Sequence, residues 1–74
     1  MEIDEQKIDE AVLALLYLTL HDDNRVWKSF GWDAMNRLHE RGFIGNPASK
    51  AKSVVLSEAG LRESERLFRQ LFSR

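Results

Sequence analysis

The sequence predicts an α+β fold made of a helix, a short irregular segment or strand, a second helix, a β-hairpin and a last helix. Three observations predict it. An uncharged apolar run, AVLALLYLTL (11–20), has the length of a core helix. The segment RLHERGFI (37–44) ends a helix on a glycine and then enters a strand. The segment SVVLSEAG (53–60) passes from β-branched residues straight into a capped helix.

The first helix is expected over residues 4–21. Asp4 suits the N-cap, where its carboxylate accepts an orphan backbone amide, and Glu5, Asp9 and Glu10 sit near the positive end of the helix dipole. From Ala11 onward apolar side chains point nearly all round: Val12, Leu16 and Leu20 on one side, Leu13 and Tyr17 on another, Leu15 and Leu18 on a third. A helix that is apolar all round is buried all round. A domain this small covers one side, so a second copy of the chain is the simplest cover for the other. Asp22-Asp23-Asn24 supplies the stop.

Residues 25–28 read as a short strand or an irregular segment, with Trp27 and Phe30 expected in the core because large aromatics dominate burial in small domains. Gly31 can cap the second helix, expected over 32–42. Trp32, Met35, Leu38, His39 and Gly42 share one face at spacings of three and four. Asp33, Asn36, Arg37, Glu40 and Arg41 form the other, with Asp33 spaced to pair with Arg37. Gly42 offers a left-handed C-terminal cap. A hairpin of strands 43–46 and 52–56 follows, broken by Gly45-Asn46-Pro47.

Ser57 then caps a helix over 58–72, with Glu58 in its first turn. Leu61, Leu67, Phe68, Leu71 and Phe72 share one arc, while Arg62, Arg66 and Arg69 share the opposite one. Glu58 to Arg62 and Glu65 to Arg69 are both four apart in the favourable order.

Composition bounds the rest. With 74 residues, a single domain over 1–74 is expected, and a chain of this size buries only roughly 60% of its unfolded surface. Cysteine is absent, which removes disulfides and thiolate metal sites and points to a reducing compartment. Oligomerisation is the remaining way to add stability. The apolar share of 43% and charged share of 31% are those of a folded domain rather than a disordered tail. Ten apolar residues are too few to span a bilayer, and EIDEQKIDE is not the basic start of a signal peptide, so a cytoplasmic protein is expected.

Charge is unevenly spread. Residues 1–23 carry Glu2, Asp4, Glu5, Asp9, Glu10, Asp22 and Asp23 against Lys7 alone, whereas residues 24–74 carry ten basic and five acidic side chains. Such a division suits a polar partner, phosphate included, or simply two solvated faces. His21 adjoins Asp22 and Asp23, and His39 stands alone, so neither has a metal-ligand spacing. Ser53, Ser57 and Ser64 have no activating partner. A non-enzymatic protein without metal or cofactor is expected.

A helix, a hairpin and a capped helix in this order close a winged-helix domain, and the residues carry a resemblance to match. MNRLHERGFI followed by SVVLSEAG resembles the end of bacterial winged-helix regulators of the multiple-antibiotic-resistance and phenolic-acid-repressor types. Met35, Leu38, Gly42, Phe43, Ile44, Leu56, Ser57 and Gly60 occupy the matching places. Over nearly its whole length the chain also resembles a small bacterial family of unknown function with a winged-helix-like domain. The acidic start, AVLALLYLTLH (11–21), Trp-Lys (27–28), Trp-Asp (32–33), RLHE (37–40) and KAKSVV (50–55) carry that resemblance.

The regulator resemblance implies DNA binding in a transcription-regulator-like role. Asn36, Arg37 and Arg41 would face the bases of double-stranded DNA, where Arg pairs with guanine and Asn with adenine. Lys50 and Lys52 would contact phosphate, with Arg62, Arg66 and Arg69 as further contacts. The alternative is a protein–protein interaction module that does not bind DNA. There the apolar arcs of the first and last helices would pair across a two-fold axis in a homodimer, through Leu13, Tyr17, Leu20, Leu67 and Leu71. Neither reading calls for a membrane or a small-molecule ligand.

Overall fold

A computed structural model describes residues 1–74. It is an α+β arrangement of three helices and a two-stranded antiparallel sheet: α1 (Glu5–Leu16), β1 (Arg25–Trp27), α2 (Trp32–Glu40), β2 (Ser53–Val55) and α3 (Glu58–Phe72). No helix is long and apolar enough to cross a membrane.

Helix α1 starts as its sequence dictates, with the Asp4 carboxylate accepting from the Lys7 amide at 3.2 Å. It ends earlier than residue 21. After Leu16 the chain tightens into a 3-10 turn, Tyr17–Thr19. The Thr19 hydroxyl donates to the Leu16 carbonyl at 2.8 Å and accepts the Trp27 amide at 3.0 Å, which turns the chain toward β1. His21 and Arg25 then exchange two backbone hydrogen bonds of 2.9 Å around a turn in which Asp22 and Asp23 both have positive φ. Residues 25–27 are thus a strand.

The sheet differs from the expected hairpin. β2 lies along β1 in the register Arg25–Val55, Val26–Val54 and Trp27–Ser53. Residues 43–46 reach the other edge of β2 only through the Ile44–Leu56 bridge and the Gly45 amide, which donates to the Val55 carbonyl at 2.8 Å. The cause is local. Pro47 has no amide to extend a ladder, and the Asn46 side chain accepts the Ala48 amide at 2.9 Å, closing a turn where a longer strand would run.

Helix α2 ends in a Schellman motif: the Gly42 amide bonds to His39 and the Phe43 amide to Leu38, each at 3.0 Å, with Gly42 at φ +80°. Its core face is Ala34, Met35 and Leu38; Trp32 and His39, expected on that face, are exposed. α1 packs against both α2 and α3. Val12, Leu13, Ala14 and Leu16 meet Met35, Leu38, Val26, Val54, Ile44, Leu56 and Leu67 in one core. Trp27 and Phe30 stay outside it. In the three-residue strand Val26 takes the inward position, leaving Trp27 outward, where it stacks on His21 at 4.3 Å.

Ser57 ties α3 to the end of α2. Its hydroxyl accepts the Gly60 amide at 3.0 Å, its amide donates to the Phe43 carbonyl at 3.0 Å, and its hydroxyl also lies beside the Gly42 carbonyl. Ser57→Ala removes the cap and one side of this junction, for an expected loss of about 1–2 kcal/mol in urea unfolding. A loss below about 0.5 kcal/mol would show that the cap is not what holds the junction.

Candidate interaction surface

The outer face of α2 was expected to read bases, and the structure commits part of it elsewhere. Arg37 makes two 2.8 Å bonds to the Asp9 carboxylate and a 2.9 Å bond to Glu5, not the expected pair with Asp33. The hydrogen bond that Arg37 donates to Asp9, ahead of the attraction of Asp9, Glu5 and Asp33, raises the already high Arg37 pKa. Arg37 therefore locks α2 onto α1. Asn36 is exposed, and the Arg41 guanidinium lies 5.1 Å over the Phe43 ring. Glu5 and Glu40 border the same face. Between β1 and α2 only residues 28–31 remain, with no positioning helix.

Lys50 and Lys52 are exposed on the loop 45–52, in a stretch from 41 to 57 without an acid. Lys28 joins them: its ammonium donates to the Ser49 carbonyl at 2.7 Å, and its amide to the Lys52 carbonyl at 3.0 Å.

The residues expected at a dimer interface divide. Leu13 and Leu67 are core, at 1% and 2% exposure, and cannot contact a partner in this fold, because α1 and α3 bury them against each other. Tyr17 is half-buried, 5.3 Å from Phe68, and Leu20 is half-buried against the core. Leu71 is exposed, together with Leu18 and Phe72. On the charged side of α3, Arg69 pairs with Glu65 at 2.8 Å as expected, and Arg66 pairs with Glu63. The bond from Arg66 holds the Glu63 carboxyl below its ordinary range. The little stability this exposed pair adds is therefore present above the usual glutamate pKa and fades as pH falls through the lowered one.

The largest hollow in the surface lies where α1 and α2 begin. Ile3, Ile8, Phe30 and Trp32 are all exposed, Trp32 by 61%. They wall a groove of about 530 Å³ over Val12 and Ala34. A second hollow of about 240 Å³, lined by Lys28, Met35 and Pro47, shares Phe30 and Trp32 with the first. Two adjoining concavities with exposed aromatics between them are an arrangement that takes an apolar anchor.

Sequence reasoning placed Trp32 and Phe30 inside and overlooked Asp9. The Asp9 signal was present. It precedes Val12, Leu13 and Leu16 by three, four and seven residues, which puts a carboxylate on the buried stripe and requires a cationic partner.

Residues 4–74 match the family model described as Domain of unknown function (DUF6429). The chain is also 62% identical over 74 residues to the uncharacterised protein y4hR of Sinorhizobium fredii, covering 100% of each. No solved structure matches.

Proposed function

We propose that this chain, which belongs to the DUF6429 family, is a non-enzymatic protein–protein interaction module working through the groove of Ile3, Ile8, Phe30 and Trp32. One observation carries the reading: two adjoining hollows share Phe30 and Trp32, two aromatic side chains that stay exposed between them. Exposed apolar surface of this kind marks contact sites. The element order is compatible with a winged-helix-like arrangement, but the parts that would read DNA are occupied or missing. Arg37 is held by Asp9 and Glu5, and no helix precedes α2 after β1. A photo-crosslinking side chain at position 32, introduced in cells, is expected to give discrete protein adducts, while the same group at position 36 gives none. Silence at position 32, or equal adducts at both, would overturn the reading.

The second reading is nucleic-acid binding in a regulator-like role, favoured by Lys50 and Lys52 on an acid-free loop and by Lys28, which reaches that loop from the end of β1. On that reading Lys50→Ala with Lys52→Ala weakens binding on all sequences, whereas Arg41→Ala also relaxes sequence preference.

A further inference from the structure

We infer that the occupant of this groove is a second copy of the same chain, bound head to tail: the far end of its α3 enters the groove, reciprocally, in a two-fold pair. The inference rests on the reading of the groove as a contact site. The head is apolar, Ile3, Ile8 and Trp32 beside Glu5, Asp33 and Arg37; Arg37 is held by Glu5 and Asp9, which leaves Asp33, with Glu2 and Asp4 next to Ile3 in the chain, as its unspent charge. The tail is apolar with a basic surround. Leu71 and Phe72 are each 48% exposed, and beyond Glu65 the chain carries Arg66, Arg69 and Arg74 with no acid; Leu18, 66% exposed, lies in the turn that packs on α3, with Asp22 and Asp23 following it in the chain. The Arg66 and Arg69 pairs with Glu63 and Glu65 are solvent-exposed and therefore weak enough to exchange.

Charge selects the pairing. Head against head sets carboxylates against carboxylates, and tail against tail sets guanidiniums against guanidiniums. Head against tail joins opposite signs around apolar centres. Ile8 and Leu18 are ten residues apart, about 15 Å along a helix axis, so the two patches lie toward opposite ends of α1. An antiparallel pair brings both head–tail contacts together and closes.

The surface area agrees. A folded monomer of 8.6 kDa is expected to expose about 4,700 Å², whereas this chain exposes 5211 Å². That spare surface is about 500 Å² per chain.

Sedimentation of the full chain tests this with two single variants, Trp32→Glu for the head and Phe72→Glu for the tail. Ile3→Glu and Leu71→Glu serve as second choices, with circular dichroism confirming that each variant folds. Wild type is expected at twice the 8.6 kDa chain mass, and each variant at the chain mass alone. An equimolar mixture of the two variants is expected to pair more strongly than either variant alone, because it keeps one of the two contacts, an intact head meeting an intact tail. The wild-type pair is expected to weaken in 1 M salt, where charge reaches only about 3 Å. A wild type that stays monomeric at all concentrations overturns the inference, as does a mixture that pairs no more strongly than either variant alone. A monomer whose position 32 still crosslinks to another protein overturns this inference alone. Silence at position 32 overturns the groove reading beneath it.

Discussion

Gly60→Ala is expected to destabilise the protein severely, against the direction that helix propensity gives. Alanine is about 1 kcal/mol better than glycine inside a helix, and Gly60 lies in the first turn of α3 with nothing unusual in its own backbone. Its surroundings reverse the sign. A Cβ there would overlap the Phe43 carbonyl oxygen and stand 2.8 Å from its carbon. The obstacle is backbone, so no side-chain rotation relieves it. Either α3 lifts off, breaking the Ser57 amide bond to the same carbonyl, or the Gly42 turn distorts. Overpacking of ordinary cores costs about 1–3 kcal/mol, and a backbone clash belongs at or above the top of that range. A chain of this length has only about 4–11 kcal/mol in total. Thermal unfolding followed by circular dichroism should show a large fall in Tm. An unchanged or higher Tm would mean that α3 does not press on Phe43.

Arg37→Leu is the second large effect. It leaves the Asp9 carboxylate, 3% exposed, without its counter-charge, an arrangement that costs about 3–5 kcal/mol when fully enclosed. The lower end is expected, because the Arg37 side chain is 26% exposed and water can reach the vacated place. Adding Asp9→Leu should restore most of the loss, since well-packed apolar pairs commonly equal buried ion pairs. Urea unfolding of the two variants checks both halves. If Arg37→Leu falls within about 0.5 kcal/mol of wild type, the pair is not a structural lock, and Arg37 is available for other work.

These two residues show where the sequence was legible and where it was not. Local signals read through to structure because they need only neighbours: Asp4 and Ser57 as caps, Gly42 in a left-handed turn, and Val54 in a strand. Gly60 was legible as a position but not as a reason, because its reason is a carbonyl seventeen residues away. The strand pairing was missed for the same cause. β2 prefers β1 across a long separation, and Pro47 with Asn46 shortens the hairpin that proximity suggested. At the candidate site, the lysines of the loop stayed where charge placed them, exposed. Trp32 and Phe30 misled because aromatic size argues for burial, and only the packed core shows that Met35 and Leu38 had already filled it. Leu13 and Leu67 misled in the opposite sense. A helix apolar on all sides did have spare surface, but that surface is Ile8 and Leu18.

The most direct test of an apolar contact surface against a nucleic-acid surface is a titration of fluorescently labelled random duplex DNA with the full chain at low salt. The expected result is a flat signal, because Arg37 is internally paired and the exposed lysines are few. Binding with a log–log salt slope near −0.9 per phosphate contact, weakened on every sequence by Lys50→Ala with Lys52→Ala, would contradict it.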